Sequence, residues 1–211
     1  MARLKSTLLF KVDPGRPDRE RIDCCAAMLR SGSLVAFPTE TVYGLAANLL
    51  DPGAIDGLYK IKVRPRTKPF TVHIADISAI GKMGCRLDKN GRALVRRFWP
   101  GPLTIILKSR DGRKIGFRMP ANRIALELIG RARVPVVAPS ANLSGKRPPT
   151  RAADVLRQLG GKIDALIDGG RTKVGVESTV VDLTVSPPKI LRKGAIKARE
   201  ILKVLKITNH K

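Results

Sequence analysis

Five cations crowd nine residues of this chain: Lys60, Lys62, Arg64, Arg66 and Lys68, set around Pro65 and just before Pro69. Guanidinium groups grip phosphate bidentately and ammonium groups act as mobile point charges, so such a cluster suits a polyphosphate. Pro65 takes the chain out of helical geometry, and the side chains need not share one solvated face. A basic helix end complementing the macrodipole is the other reading for Lys60 and Lys62. A second signal is Arg118, the one arginine of the apolar run Gly116-Phe117-Arg118-Met119-Pro120. A charge there is costly unless paired, which leaves an internal salt bridge or a ligand clamp.

Three further turns carry polar groups at strand ends. Thr39, Glu40, Thr41 and Tyr43 follow the short apolar strand Ser33–Phe37 and Pro38, and Gly44 then permits close backbone approach. Ligands gather outside the carboxyl ends of strands in open α/β sheets, although a hydroxyl-rich turn capping the next helix would look the same. Pro139-Ser140-Ala141-Asn142-Leu143-Ser144-Gly145 follows another buried strand and offers backbone N–H groups and an amide. Glu177-Ser178-Thr179 opens a later strand, and Arg192 ends one. Hydroxyls, an amide and fixed cations with few acids suit a nucleoside triphosphate together with a small carboxylate. They would act by positioning and charge stabilisation rather than through a covalent nucleophile.

Other chemistries are poorly supplied. Ser144-Gly145-Lys146 is not the tail of a P-loop: Ser140 stands where its first glycine belongs, and Arg147 where a magnesium-binding Ser/Thr belongs. HExxH, GxSxG and paired CxxC motifs are absent, and His73 and His210 are the only histidines. A His-centred triad or a zinc site is therefore not expected. By itself His73 reads as a core or edge histidine.

The elements that must position these groups alternate. Helices are predicted at Asp18–Ser31, with Asp18 as N-cap and Gly32 as stop, and at Asp51–Lys62, opened by Asp51-Pro52. Further helices are expected at 88–99, 122–131, 150–159 and 198–205. Strands are expected at 33–37, 70–74, 103–107, 115–119, 134–138, 165–167, 179–183 and 189–191. This alternation predicts a single α/β domain with a twisted mixed sheet, part parallel and part antiparallel, flanked by helices. The domain is expected to occupy 1–211, with a core at about 15–195, a closing helix at about 197–206 and a frayed tail at 207–211.

Composition bounds the partners. The 211 residues are 43% hydrophobic with a mean hydropathy of −0.07, and carry 41 basic against 17 acidic side chains, a net +24. Between Lys82 and Arg133 the imbalance is 14 to 3. Such a field attracts polyanions, yet aromatics at 4% leave little for a base-stacking platform. No apolar run nears the length of a bilayer span, and the first 17 residues make a poor signal peptide. Cys24, Cys25 and Cys85 form neither a disulfide framework nor a zinc pattern, which suits neutral thiols in a reducing, cytoplasmic setting.

FPTETVYGLAAN, KVRPRTKPFTVHIA, WPGPLTIIL, GFRMPAN, APSANLSGKRPPT and ESTVVDL occur in this order over about Ser33 to Arg192. Together they closely resemble the YrdC-like family, the threonylcarbamoyl-AMP synthases. The resemblance implies ATP-dependent joining of L-threonine and bicarbonate (or CO2) to give L-threonylcarbamoyladenylate and pyrophosphate. That product would serve N6-threonylcarbamoyladenosine formation in tRNA through a downstream threonylcarbamoyltransferase machinery. It further implies that Thr39, His73, Arg118, Ser140 and Ser178 surround threonine, with Arg118 on its carboxylate. Arg64, Lys68, Asn142, Thr150 and Arg192 would hold ATP, and Lys62 with Arg64 would form a catalytic KxR pair neutralising phosphate charge. Mg²⁺ is expected through the ATP phosphates, with no protein metal site. Many relatives have Ser-Pro-Thr where this chain has Pro148-Pro149-Thr150, and a short amide where Lys68 stands. The chain reads as the short, single-domain kind.

The alternative from another class is a non-catalytic RNA-binding module, acting on tRNA or ribosome precursors and supported by the +24 charge. RNA contact and catalysis are compatible. A minor third reading is a related adenylate former using a different amine.

Overall fold

A computed structural model describes residues 6–206. In chain order its elements are β1 (Leu8–Lys11), α1 (Arg19–Arg30), β2 (Val35–Phe37), β3 (Gly44–Asn48), α2 (Pro52–Lys62) and β4 (Val72–His73). There follow α3 (Ser78–Lys82), α4 (Lys89–Phe98), β5 (Leu103–Lys108), β6 (Lys114–Arg118), α5 (Arg123–Ala132) and β7 (Val136–Val137). The chain closes with α6 (Ala152–Leu159), β8 (Ala165–Asp168), β9 (Thr179–Asp182), β10 (Lys189–Arg192) and α7 (Ala198–Leu205).

Successive side chains of a strand leave on opposite faces, and here both faces are buried. Val35 and Phe37 of β2 enter one core and Ala36 the other. Leu45 and Ala47 of β3 likewise part from Ala46, and Leu166 of β8 from Ala165 and Ile167. On one side α1 and α5 cover the sheet with Ile22, Cys25, Leu29, Ile124 and Leu128. On the other, α2, α4, α6 and α7 contribute Leu58, Leu94, Val155 and Ile201. Burying a side chain such as Phe37 stabilises by about 1.5–3 kcal/mol.

The sheet has ten strands in the order β1-β8-β2-β3-β7-β4-β6-β5-β9-β10. β1 and β2 both pair parallel to β8, β4 pairs parallel to β6 and β5 to β9; the remaining neighbours are antiparallel. This is the expected single-domain mixed sheet with flanking helices.

Local signals set the helix starts. The side chains of Asp18, Asp51, Asp88 and Asn122 each accept a hydrogen bond from a first-turn N–H of α1, α2, α4 and α5. Gly32 sits at φ 85° just past α1, in the left-handed region that ends helices.

Six elements depart from expectation. The polar segment after Phe37 is the connection of a hairpin, because Gly44–Asn48 forms β3 against β2 (Val35↔Ala46, Phe37↔Gly44). β1 and the single-turn-plus helix α3 were not foreseen. The strands expected at 70–74 and 134–138 narrow to Val72–His73 and Val136–Val137. The helix expected from Thr150 begins at Ala152. The frayed tail expected at 207–211 lies outside the described residues. Cys25 and Cys85 are buried and Cys24 exposed, all three free; burial pushes the Cys25 thiol up to about 12. Among the described residues no helix is long and apolar enough to cross a membrane.

Candidate active site

The hairpin β2–β3, the ends of α2, β4 and β6, the turn after β7 and the start of β9 enclose one cavity of about 360 Å³. Its lining includes Thr39, Lys62, Arg64, Lys68, His73, Arg118, Ser140, Asn142, Ser178 and Arg192. Every residue that the resemblance assigned to the site is therefore there except Thr150, whereas Lys60 and Arg66 of the cation cluster and Glu40 and Thr41 of the first polar turn lie outside the lining. Thr150 stands outside the lining, and its carbonyl accepts the Thr172 N–H at 2.9 Å. Residues from all the polar turns converge because strands far apart in sequence pair in register. The parallel pair β4–β6 sets His73 beside Arg118, and an isolated bridge ties Gly44 to Ser140.

Arg118 answers the choice between salt bridge and clamp by being paired already. Its Nη2 donates to Glu40 Oε1 at 2.9 Å and to Thr41 Oγ1 at 2.6 Å. Glu40 Oε2 accepts from the Ala121 N–H at 3.0 Å. Both side chains are buried, whereas Arg118 Nε is buried without a partner. Burial pulls the Arg118 pKa down, opposed by Glu40. The internal pair thus leaves guanidinium donor capacity at the cavity wall.

Thr39 closes its own loop: its hydroxyl donates to the Val42 carbonyl at 2.7 Å and lies 2.8 Å from Thr41 Oγ1. His73 is fully enclosed, with Nδ1 3.3 Å from the Thr71 carbonyl and its ring edge-on to Phe37. Burial and the Arg118 charge hold its pKa at about 3. At neutral pH His73 is therefore an uncharged hydrogen-bonding group.

Lys62 and Arg64 part company at Val63, which ends α2 at φ 42°, ψ 48°. That left-handed geometry is rare for a β-branched residue. Lys62 turns inward, and burial lowers its pKa to about 8, with Glu177 opposing and Arg64 adding to the shift. Arg64 stays half-buried at the rim: Nε donates to the Lys68 carbonyl at 2.7 Å, Nη2 to that of Pro69 at 3.2 Å, and the guanidinium lies 5.2 Å from the Phe70 ring centroid. Lys68 is exposed at the same rim.

Asn142 is structurally engaged. Its Nδ2 donates to the carbonyls of Leu143 (2.9 Å) and Lys146 (2.7 Å), which uses both amide protons. Arg192 follows a register shift in β10. It donates from Nε and Nη2 to the carbonyl and hydroxyl of Ser178, both at 3.0 Å, and its Nη1 lies 3.2 Å from Glu177 Oε1. Ser178 Oγ is also 2.8 Å from Thr104 Oγ1.

Thr104 was missed as a site candidate, and Glu177 was named only as the opening of a later strand. Thr104 is a lone hydroxyl inside the apolar strand Leu103–Lys108, the same kind of signal that singled out Arg118. Glu177 is the one carboxylate in a lining that also holds Lys62, Arg64, Lys68, Arg118 and Arg192. Among the described residues no cluster of three His, Cys, Asp or Glu side chains could hold a metal.

A half-open hollow walled by cations and neutral hydroxyls at strand ends gives an α/β domain suited to an anion. The family model Sua5_yciO_yrdC, described as telomere recombination, matches residues 27–194, and the chain belongs to that family. It is 44% identical over 201 residues to a threonylcarbamoyl-AMP synthase of Pyrococcus abyssi, covering 89% of this chain and 59% of that one. It is 43% identical over 190 residues to the Bacillus subtilis threonylcarbamoyl-AMP synthase, covering 85% and 55%. The chain thus spans little more than half the length of these relatives. The fold matches the crystal structure of P. abyssi Sua5 complexed with L-threonine at a TM-score of 0.89 and 43% identity, over 94% of this chain and 61% of that one. Escherichia coli YciO matches at a TM-score of 0.81 and 25% identity, over 89% and 96%.

Proposed function

We propose that the chain makes L-threonylcarbamoyladenylate from L-threonine, bicarbonate or CO2 and ATP, releasing pyrophosphate, for N6-threonylcarbamoyladenosine in tRNA. The observation that carries this reading is the convergence of Arg118, His73 and Ser178 with Arg64, Lys68 and Arg192 in a single cavity. The identity to threonylcarbamoyl-AMP synthases supports it.

In this reading Arg118 receives the threonine carboxylate, with Thr39, neutral His73, Ser140 and Ser178 as hydrogen-bonding neighbours. Threonine and CO2 give a carbamate, N–C bond formation releasing the amine proton. A carbamate oxygen then attacks the α-phosphorus of ATP. The bond from that phosphorus to the bridging oxygen breaks, and pyrophosphate leaves with the electron pair. Arg64, Lys68 and Arg192 stabilise the leaving charge, so the protein contributes orientation and electrostatics. Magnesium bound to the nucleotide's phosphates would supply further charge neutralisation. The Asn142 amide, already employed inside its turn, contributes by shaping that turn, and Thr150 stands outside the lining.

The product is a reactive mixed anhydride and would pass to the tRNA threonylcarbamoyltransferase machinery; use of ATP and tRNA is consistent with a cytoplasmic setting. The net charge of +24 favours RNA contact alongside catalysis. A salt slope of about −0.7 to −0.9 per neutralised phosphate would reveal it. The main test is pyrophosphate release from ATP with each of threonine, bicarbonate and magnesium omitted in turn. Release that ignores threonine or bicarbonate, or none at all from folded protein, overturns the reading.

A further inference from the structure

Lys62 lies in the cavity wall, but its hydrogen bonds point to the protein. Its Nζ is 2.7 Å from the Ser140 carbonyl, 2.5 Å from the Asn142 carbonyl and 3.1 Å from Asn142 Oδ1. An ammonium group has three N–H donors and no acceptor. One turn therefore takes up the whole donor capacity of Lys62. The Asn142 amide extends the tie to the carbonyls of Leu143 and Lys146, so one buried cation anchors the Ser140–Lys146 turn to the end of α2. Val63 completes the division of labour, because its left-handed backbone sends Lys62 inward and Arg64 to the half-buried rim beside Phe70.

We propose that Lys62 is a positioning residue, which holds the Ser140–Lys146 turn so that Ser140 is presented to the amino-acid substrate, while direct phosphate contact falls to Arg64 and Lys68. This deepens the functional reading above and rests on it. It separates two residues that lie two positions apart and that sequence reasoning joined as one phosphate-neutralising pair. A lysine acting on phosphate is dispensable when threonine binds alone. A lysine acting through the Ser140 turn is not.

The test uses the full chain without nucleotide. L-Threonine binding is measured by calorimetry for the wild type, Lys62→Met, Ser140→Ala and the double variant, with ATP binding measured in parallel and thermal melts to establish folding. Lys62→Met is expected to weaken threonine binding at least tenfold, and by less than twofold in the Ser140→Ala background, because residues that act through one another are non-additive. Lys62→Arg, which keeps donors for both carbonyls, is expected to restore part of the affinity. Hydrogen exchange at the Asn142, Leu143 and Lys146 amides supplies a readout that needs no ligand, and it should quicken in Lys62→Met.

Wild-type threonine affinity in Lys62→Met together with lost ATP binding overturns the positioning role, as does unchanged exchange across the turn. A wild type that binds no threonine overturns the functional reading instead, and exchange still decides the role of Lys62. If Lys62→Met fails to fold, Lys62→Arg carries the same comparison: affinity and exchange both equal to Lys62→Ala, also folded, would reject the proposal.

Discussion

Glu40 and Arg118 meet at 2.9 Å with 7% of either side chain exposed, although 78 residues separate them. Removing one partner of such a pair strands the other charge in a medium that cannot solvate it. Glu40→Ala is therefore expected to cost about 3–5 kcal/mol of stability in urea unfolding. A loss under about 1 kcal/mol would mean that the pair does not hold the cavity wall. Arg118→Ala should weaken threonine use far more than ATP binding, and equal losses would reject the carboxylate role.

His73 links stability to acid. The folded state keeps it neutral down to about pH 3, whereas the unfolded chain protonates it near its ordinary value of 6.5. Between those limits the unfolded state binds the extra proton, so acidification favours unfolding. The contribution is about 1.4 kcal/mol per pH unit, present in full above the upper limit and lost as pH falls. Urea titrations at pH 7 and pH 5 should show wild type losing more stability than His73→Asn. Parallel losses would place His73 in contact with water.

Val63 carries a backbone cost that glycine would not. The left-handed conformation costs a β-branched residue about 1–2 kcal/mol, against about 0.5–1 kcal/mol for the extra unfolded freedom of glycine. The side chain is 77% exposed, so little packing is lost. Val63→Gly should melt at or slightly above the wild-type temperature. A clear drop would show that the valine side chain contributes contacts of its own.

Gly194 stands where no side chain fits. A Cβ there would lie 2.4 Å from the Glu177 carbonyl oxygen and 2.6 Å from that of Ser178, both main-chain atoms that cannot swing aside. Gly194→Ala is expected to destabilise by about 1–3 kcal/mol and to displace Ser178 with its Arg192 contacts. Threonine binding and thermal melts on the same protein check both. Wild-type values in both would mean that the strand entrance yields freely.

What the sequence revealed follows the range of the forces involved. Helix starts at Asp18, Asp51, Asp88 and Asn122 were legible because a cap and its first turn lie within a few residues. β3 was hidden because Gly44-Leu45-Ala46-Ala47-Asn48 is poor in β-branched residues, and pairing with β2 and β7 imposes its extended form. β1 shows no alternation, and α3 is too short for a period. The site was legible segment by segment, since hydroxyls and cations at strand ends are local oddities. Which of them meet was set by distant registers such as His73↔Arg118. That is why Glu40 as the partner of Arg118, and Thr104 beside Ser178, emerged only from the fold.

The cavity begins at Thr39 and is completed by Arg192, through a β9 strand that pairs with β5 from 76 positions away (Leu103↔Thr179). A polypeptide emerging from the ribosome, which folds from its N-terminus onward, cannot assemble this chamber until Arg192 has been synthesised. A product interrupted before β9 would keep Thr39, His73 and Arg118 but lack the wall that Ser178 and Arg192 complete.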